Sequence, residues 1–292
     1  MHATPLVWTT RALWLLLPFT LGELLGDAAA DHAAALGTTV AVVGWAIWLA
    51  GLLASLVALP VALTALRVLA PLPLVAGGTA AVGTAPSAVG WAGIVLAALA
   101  AVAASSAEVG GWFVNGSSYG DERRMTLRVP SALLLGPVEG VWVLTTLPVL
   151  TGVVLLADGW TVVGAVLAAV GAATAVVGFR TLDRLARRWI VFVPAGITVV
   201  DDLALAEPVL FPRTAIVRLG PAPVGTRALA LTAGAAGLIV EVDLDRPVEL
   251  ATAVRRGRAA TPQEVTGVLL APARPGEMLR HAEERRIAVS RT

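Results

Sequence analysis

The chain has 292 residues, 57% of them hydrophobic and only 14% charged, where soluble domains carry about one-quarter charged residues. Its mean hydropathy is positive, and a lipid-facing surface is the direct explanation. A formal net charge of +1 gives no field that would recruit nucleic acid. The absence of cysteine excludes disulfides, thiolate zinc sites, iron–sulfur clusters and cysteine nucleophiles. All 21 basic residues are arginine, so Schiff-base and P-loop lysines are excluded too.

A helix that crosses about 30 Å of hydrocarbon needs about 20 apolar residues. In chain order, stretches of this kind are predicted at 12–26, 37–59, 68–84, 87–104, 131–157 and 160–179. The third is the weakest, because Pro71, Pro73, Gly77 and Gly78 oppose a regular helix and suggest a broken or re-entrant segment. Charge placement favours counting it as a span. With six spans, Arg11, Arg67, the cluster Arg123, Arg124, Arg128 and the cluster Arg180, Arg184, Arg187, Arg188 share one side, while Asp27, Asp31, His32 and Asp158 lie on the other. Arginine collects in cytoplasmic loops, so a multi-pass protein of the cell membrane with both termini in the cytoplasm is expected. Arg11 followed by an apolar run also opens like a signal peptide, and the small residues after Gly26 offer a cleavage site; the first span is read as an anchor. Trp8, Trp14, Trp91, Trp112, Trp160 and Trp189 fall near span ends, as interfacial belts require.

The organisation expected is a helical membrane domain over 1–180, interrupted by a cytoplasmic loop at 106–130, and a cytoplasmic, mostly β domain over 181–292. The connector Arg180–Arg188 leaves the membrane with arginines that can meet anionic head groups, at about 1 kcal/mol each. Beyond it Trp189–Val193 and Ile197–Val200 read as a hairpin around Pro194-Ala195-Gly196. Further strands are predicted near Val209–Leu210, Ala215–Leu219, Ala228–Leu231 and Leu238–Asp243. Helices are predicted at Pro247–Arg256 and Pro275–Arg286, the latter with Met278, Leu279 and Ala282 as an apolar stripe.

The run Arg187-Arg-Trp-Ile-Val-Phe-Val-Pro-Ala-Gly-Ile-Thr-Val-Val200, then Val209-Leu-Phe-Pro-Arg-Thr-Ala-Ile216, then Gly267 to Arg280, resembles the pleckstrin-homology-like domains of bacterial membrane proteins. The whole chain resembles multi-pass proteins of actinobacterial type that carry such a domain. The resemblance implies a scaffold for protein or lipid contacts, and the helix expected at Pro247–Arg256 departs from the strand order of that family. Fold alone confers no function.

Two places carry candidate site residues. The 106–130 loop concentrates glycine, the sole tyrosine and four consecutive charges: Asn115, Tyr119, Asp121, Glu122, Arg123 and Arg124. One reading is a recognition loop in which the two arginines hold a phosphate or carboxylate; the other is a solvated connector with its charges paired internally. Glu139, about seven residues into the fifth predicted span, is either an intramembrane polar site or an interfacial residue of a span that begins later. Glu23, Asp27, Asp31 and His32 match no metal-ligand spacing and read as a solvated outer loop. Searches for G-x-S-x-G, H-E-x-x-H, G-x-G-x-x-G and the Walker pattern find nothing, so no catalytic residue, cofactor or metal is assigned. The function expected is a non-enzymatic scaffold or regulator of a membrane-associated assembly, with the lipid bilayer and a membrane or cytoplasmic protein as partners. The alternative is a transporter or lipid-handling protein with Glu139 in its pathway. A membrane-embedded enzyme using Asp121, Glu122 and Glu139 comes third, for want of a base or metal.

Overall fold

The computed structural model describes residues 3–30, 32–253 and 262–290; Asp31, and residues 254–256 of the expected Pro247–Arg256 helix, lie outside the described residues. The chain forms two compact units. One comprises Met1–Gly116 with Glu139–Asp183, the other Ser117–Val138 with Arg184–Thr292.

The first unit is helical: α1 (Pro5–Ala30), α2 (Ala34–Leu56), α3 (Pro60–Leu69), α4 (Leu72–Gly83), α5 (Ala88–Ser105), α6 (Ala107–Asn115), α7 (Pro137–Ala157) and α8 (Thr161–Ala186). Among the described residues six segments are long and apolar enough to cross a membrane: α1, α2, α3 with α4, α5, α7 and α8. The third is broken as expected, but it begins at Pro60 rather than at 68. Pro60 suits the first turn of a helix, whereas Pro71 has no N–H to give and the ladder stops at Ala70 before restarting. Ser87 and Ser106 begin α5 and α6 by accepting from the N–H groups of Gly90 and Val109, both at 3.2 Å.

Close helix approach is set by glycine. On α8, Gly164, Gly171 and Gly178 recur at two-turn spacing on one face, and a Cβ at Gly171 would fall on the backbone of Val149 in α7. Gly152 of α7 faces Ala168 in the same way. Gly171→Leu is therefore expected to part the α7–α8 hairpin and destabilise it by about 2 kcal/mol or more. Unfolding in mixed detergent micelles would measure this. Gly140→Leu, where an added Cβ meets nothing within 4 Å, serves as the control expected to be unaffected.

The second unit is built on two sheets. β1 (Arg123–Thr126), β2 (Arg188–Val193), β3 (Gly196–Asp201) and β4 (Val209–Pro212) form an antiparallel meander in that order. β5 (Ile216–Pro221), β6 (Leu229–Ala230), β7 (Val240–Ala251) and β8 (Pro262–Leu270) form a second sheet in the order β5-β7-β8-β6, with only β6 running parallel to its neighbour. Strand alternation puts Ile190, Phe192, Ile197, Val199, Val240, Val242, Val268 and Leu270 into one core. α9 (Pro275–Glu284) closes it with Met278, Leu279 and Ala282, the stripe expected from its sequence.

Pro247–Ala251 is strand, not the expected helix. Val248 pairs with Val265 and Leu250 with Gln263, which places alternate apolar residues on one face, and Pro247 sits where the register slips. The hairpin β2–β3 turns at Pro194-Ala195 as read. Gly196, at φ +155°, comes so close to the Phe211 carbonyl that no side chain fits. The larger surprise is β1. The stretch expected as a cytoplasmic loop supplies the first strand of the β unit, and the α7–α8 hairpin is inserted between β1 and β2.

Candidate functional site

The residues of the expected loop divide between an ordered helix, a turn and a strand. Asn115 ends α6, is buried, and its amide donates to the Gly111 carbonyl at 2.9 Å. After it the chain turns through Tyr119, which is 87% exposed, and Gly120, whose φ of +57° suits glycine. Asp121 and Glu122 follow. The Glu122 carboxylate takes the Tyr119 N–H at 3.5 Å and the Arg124 guanidinium at 3.3 Å, and the Asp121 carbonyl accepts from Arg285.

Arg123 and Arg124 are neighbours in a strand, so their side chains leave it on opposite faces. Each has its own partners. Arg123 meets Glu277 of α9 at 2.7 Å, and Glu277 also binds Arg274 at 2.5 Å. Arg124 donates to Ser117 Oγ at 2.7 Å and lies 5.9 Å from the centre of the Trp189 ring. A single anion bridged by both guanidinium groups does not fit this geometry. The exposed residues of the turn are Tyr119, Gly120 and Asp121.

Arg285, which follows α9 and meets the Asp121 carbonyl, belongs to a small polar network. His281 Nδ1 is 3.0 Å from the Glu284 carboxylate, its Nε2 accepts from Arg285 Nε at 3.1 Å, and its ring stands edge-on to Phe192. Burial pushes the imidazole below its ordinary value; the hydrogen bond to Glu284 works against this, and Arg285 and Arg123 add to it. At ordinary pH this His is therefore a neutral link in the network.

Glu139 is the third residue of α7, which begins at Pro137; Ser131–Leu133 before it forms a short 3-10 turn. It stands in the first turn, exposed, where a carboxylate favours the positive end of the helix dipole. The helix begins at Pro137, later than the predicted start at 131. Glu23 and Asp27 lie on exposed positions of α1 and His32 is exposed after it. Among the described residues no three His, Asp or Glu side chains converge as metal ligands.

Three polar features went unread in the sequence. The first is the pair Arg188–Asp201, almost wholly buried: Arg188 Nε and NH2 each donate to Asp201 at 2.7 Å, and NH1 donates to the Arg128 carbonyl at 2.7 Å. A signal was present, since a two-residue turn at 194–195 pairs Val193 with Gly196 and hence Arg188 with Asp201. The second is Arg67, which had been read only as a marker of sidedness. Its guanidinium caps the end of α5, donating to the Ala104, Ser105 and Ser106 carbonyls at 3.2 to 3.5 Å. Arg11, likewise, donates to the Ser55 carbonyl at 2.8 Å between the rings of Trp8 and Trp112. The third ties the α7–α8 hairpin to α3: Trp142 donates to the Val68 carbonyl at 2.9 Å and Thr64 donates to Asp183 at 3.0 Å. No family model matches the chain, and no curated protein or solved structure matches it.

Proposed function

We propose that the chain is a non-enzymatic multi-pass membrane protein that acts as a scaffold or regulator of a membrane-associated assembly, offering its β unit and the Ser118–Asp121 turn to a protein partner in the cytoplasm. The observation that carries this reading is that the α7–α8 hairpin is inserted in the chain between two paired strands of the β unit. β1 precedes α7 and α8 and β2 follows them, yet the two strands pair along their length. Such a domain is joined to the membrane helices at three points of the chain, which suits a part that must hold its place rather than diffuse.

The same pairing supports the topology. Strands pair only on one side of a bilayer, so α7 and α8 cross as a pair. Four candidate spans precede β1, an even number that supports an N-terminus on that same side. The arginine distribution supports the cytoplasm as that side. The four-stranded meander, the second sheet and the closing helix α9 support the pleckstrin-homology-like reading of the unit.

The test compares two forms purified gently from the native membrane: the full chain, and one with 117–136 replaced by a short Gly-Ser link and the chain stopped after Ala186. Mass spectrometry should find a stoichiometric protein with the first and not with the second. A full chain that carries no protein partner, or keeps the same one without its β unit, would overturn the proposal.

A further inference from the structure

α1 and α2 are pinned together at one level and parted at another. At the pinned level Trp14 Nε1 donates to the Trp48 carbonyl at 2.8 Å and Trp48 Nε1 donates back to the Trp14 carbonyl at 3.0 Å. Gly51 lets the Trp14 ring lie directly against α2. From there toward the turn that joins the helices, the facing residues shrink. Gly22 and Gly26 on α1 and Gly37 and Gly44 on α2 all look into open space, and a Cβ at any of the four would meet nothing within 4 Å.

Two helices held at both ends and glycine-lined between them leave a half-open cleft with a cavity volume of about 540 Å³. Its floor is the start of α4, with Leu72 and Ala76, placed there by the break in the third span. Its walls are apolar, and among the described residues the one titratable side chain that borders it is His32, at the turn end. All three helices belong to segments apolar enough to cross a membrane.

The size and chemistry of the space select its occupant. An apolar cavity does not hold water, and an empty one forfeits the dispersion contacts of its lining. A transmembrane helix is too large. A cylinder roughly 10 Å across and 30 Å long fills about 2,400 Å³, more than the whole empty space of the cleft, about 1400 Å³. A polymethylene chain, about 4–5 Å across from carbon contact distances, fits between the glycine faces. We propose that the α1–α2 cleft binds one alkyl chain of a membrane lipid, with the head group at the level of His32. The site lies wholly in the helical unit and stands apart from the scaffold reading.

The full chain would be reconstituted in phosphatidylethanolamine–phosphatidylglycerol vesicles containing a trace of phosphatidylglycerol with a diazirine in its acyl chain. After photolysis, adducts would be mapped by peptide mass spectrometry. Peptides covering 14–30 and 34–48 should be labelled well above the lipid-exposed valines of α8, Val162, Val166 and Val170. Gly26→Leu and Gly44→Leu, on opposite walls, each fill space that about two methylenes of the guest would occupy, and should lower labelling on the order of tenfold. Gly140→Leu should leave it unchanged. The two filled variants guard against misfolding of either one, which gel filtration would reveal. Equal labelling of α8 would mean ordinary lipid solvation, labelling insensitive to both variants would place the chain elsewhere, and protein–protein cross-links through the cleft would make a second copy the occupant. Each of these overturns the proposal.

Discussion

Arg188→Ala is expected to destabilise the β unit by about 3–5 kcal/mol, the usual range when one member of a buried ion pair is removed. Arg188 is 2% exposed and Asp201 is fully covered. Two parallel N–H···O bonds join them, and a third from Arg188 reaches the Arg128 carbonyl, so one guanidinium links β2 to β3 and to the chain leaving β1. Asp201 also takes the Leu203 N–H at 3.0 Å, at the turn toward β4. Truncating the arginine leaves a carboxylate in the core held by the Leu203 N–H. Arg188→Lys should recover only part of the loss, because an ammonium cannot make the forked pair. Urea unfolding of the single variants, combined with Arg188→Met/Asp201→Leu, would measure the coupling. The double variant is expected to be much closer to the parent than either single change. If Arg188→Ala unfolds at the parental midpoint, the pair has no structural role.

The second large effect concerns the split of the β unit. Residues 187–292 alone are expected to aggregate. Without β1 they expose the edge of β2 and lose the burial of Met125 and Leu127, each worth about 1.5–3 kcal/mol, against a total stability of about 5–15 kcal/mol. Restoring the strand should rescue them without any membrane segment. The pairing of Thr126 with Trp189 brings the chain at Arg128 beside Arg187, so residues 117–128 joined to 187–292 through Asn-Gly would close a tight hairpin. This form should be soluble and unfold cooperatively, as circular dichroism during a urea titration would record. A cooperative fold of 187–292 alone would mean that β1 is dispensable.

How much of this was legible follows from what each signal depends on. The six candidate spans are local sums of hydrophobicity, so the count survives errors at the ends; the third starts at Pro60 rather than at 68, because a proline at the first helical position starts a helix instead of breaking it. The β2–β3 hairpin and the stripe on α9 were equally local. β1 was not. Its four residues, Arg-Arg-Met-Thr, carry little apolar pattern, and their partner lies beyond two membrane helices. The same remoteness hid the site logic: Arg123 and Arg124 look like a pair of free cations until the strand turns them apart and α9 brings Glu277 to one of them. Pro247–Ala251 was misread because proline and the charges around it mask an alternation that only β8 makes visible.

The order of these pieces along the chain also sets a timetable for the ribosome. β1 is made first and must wait while about 60 further residues are added, roughly 3–12 s at ordinary elongation rates, before β2 exists to receive it. During that interval both helices of the hairpin have to enter the bilayer. If only one does, the two strands end on opposite faces and the meander cannot close, leaving Ile190 and Phe192 uncovered for proteases to find. Completion of the sheet thus certifies that the last two spans were inserted correctly.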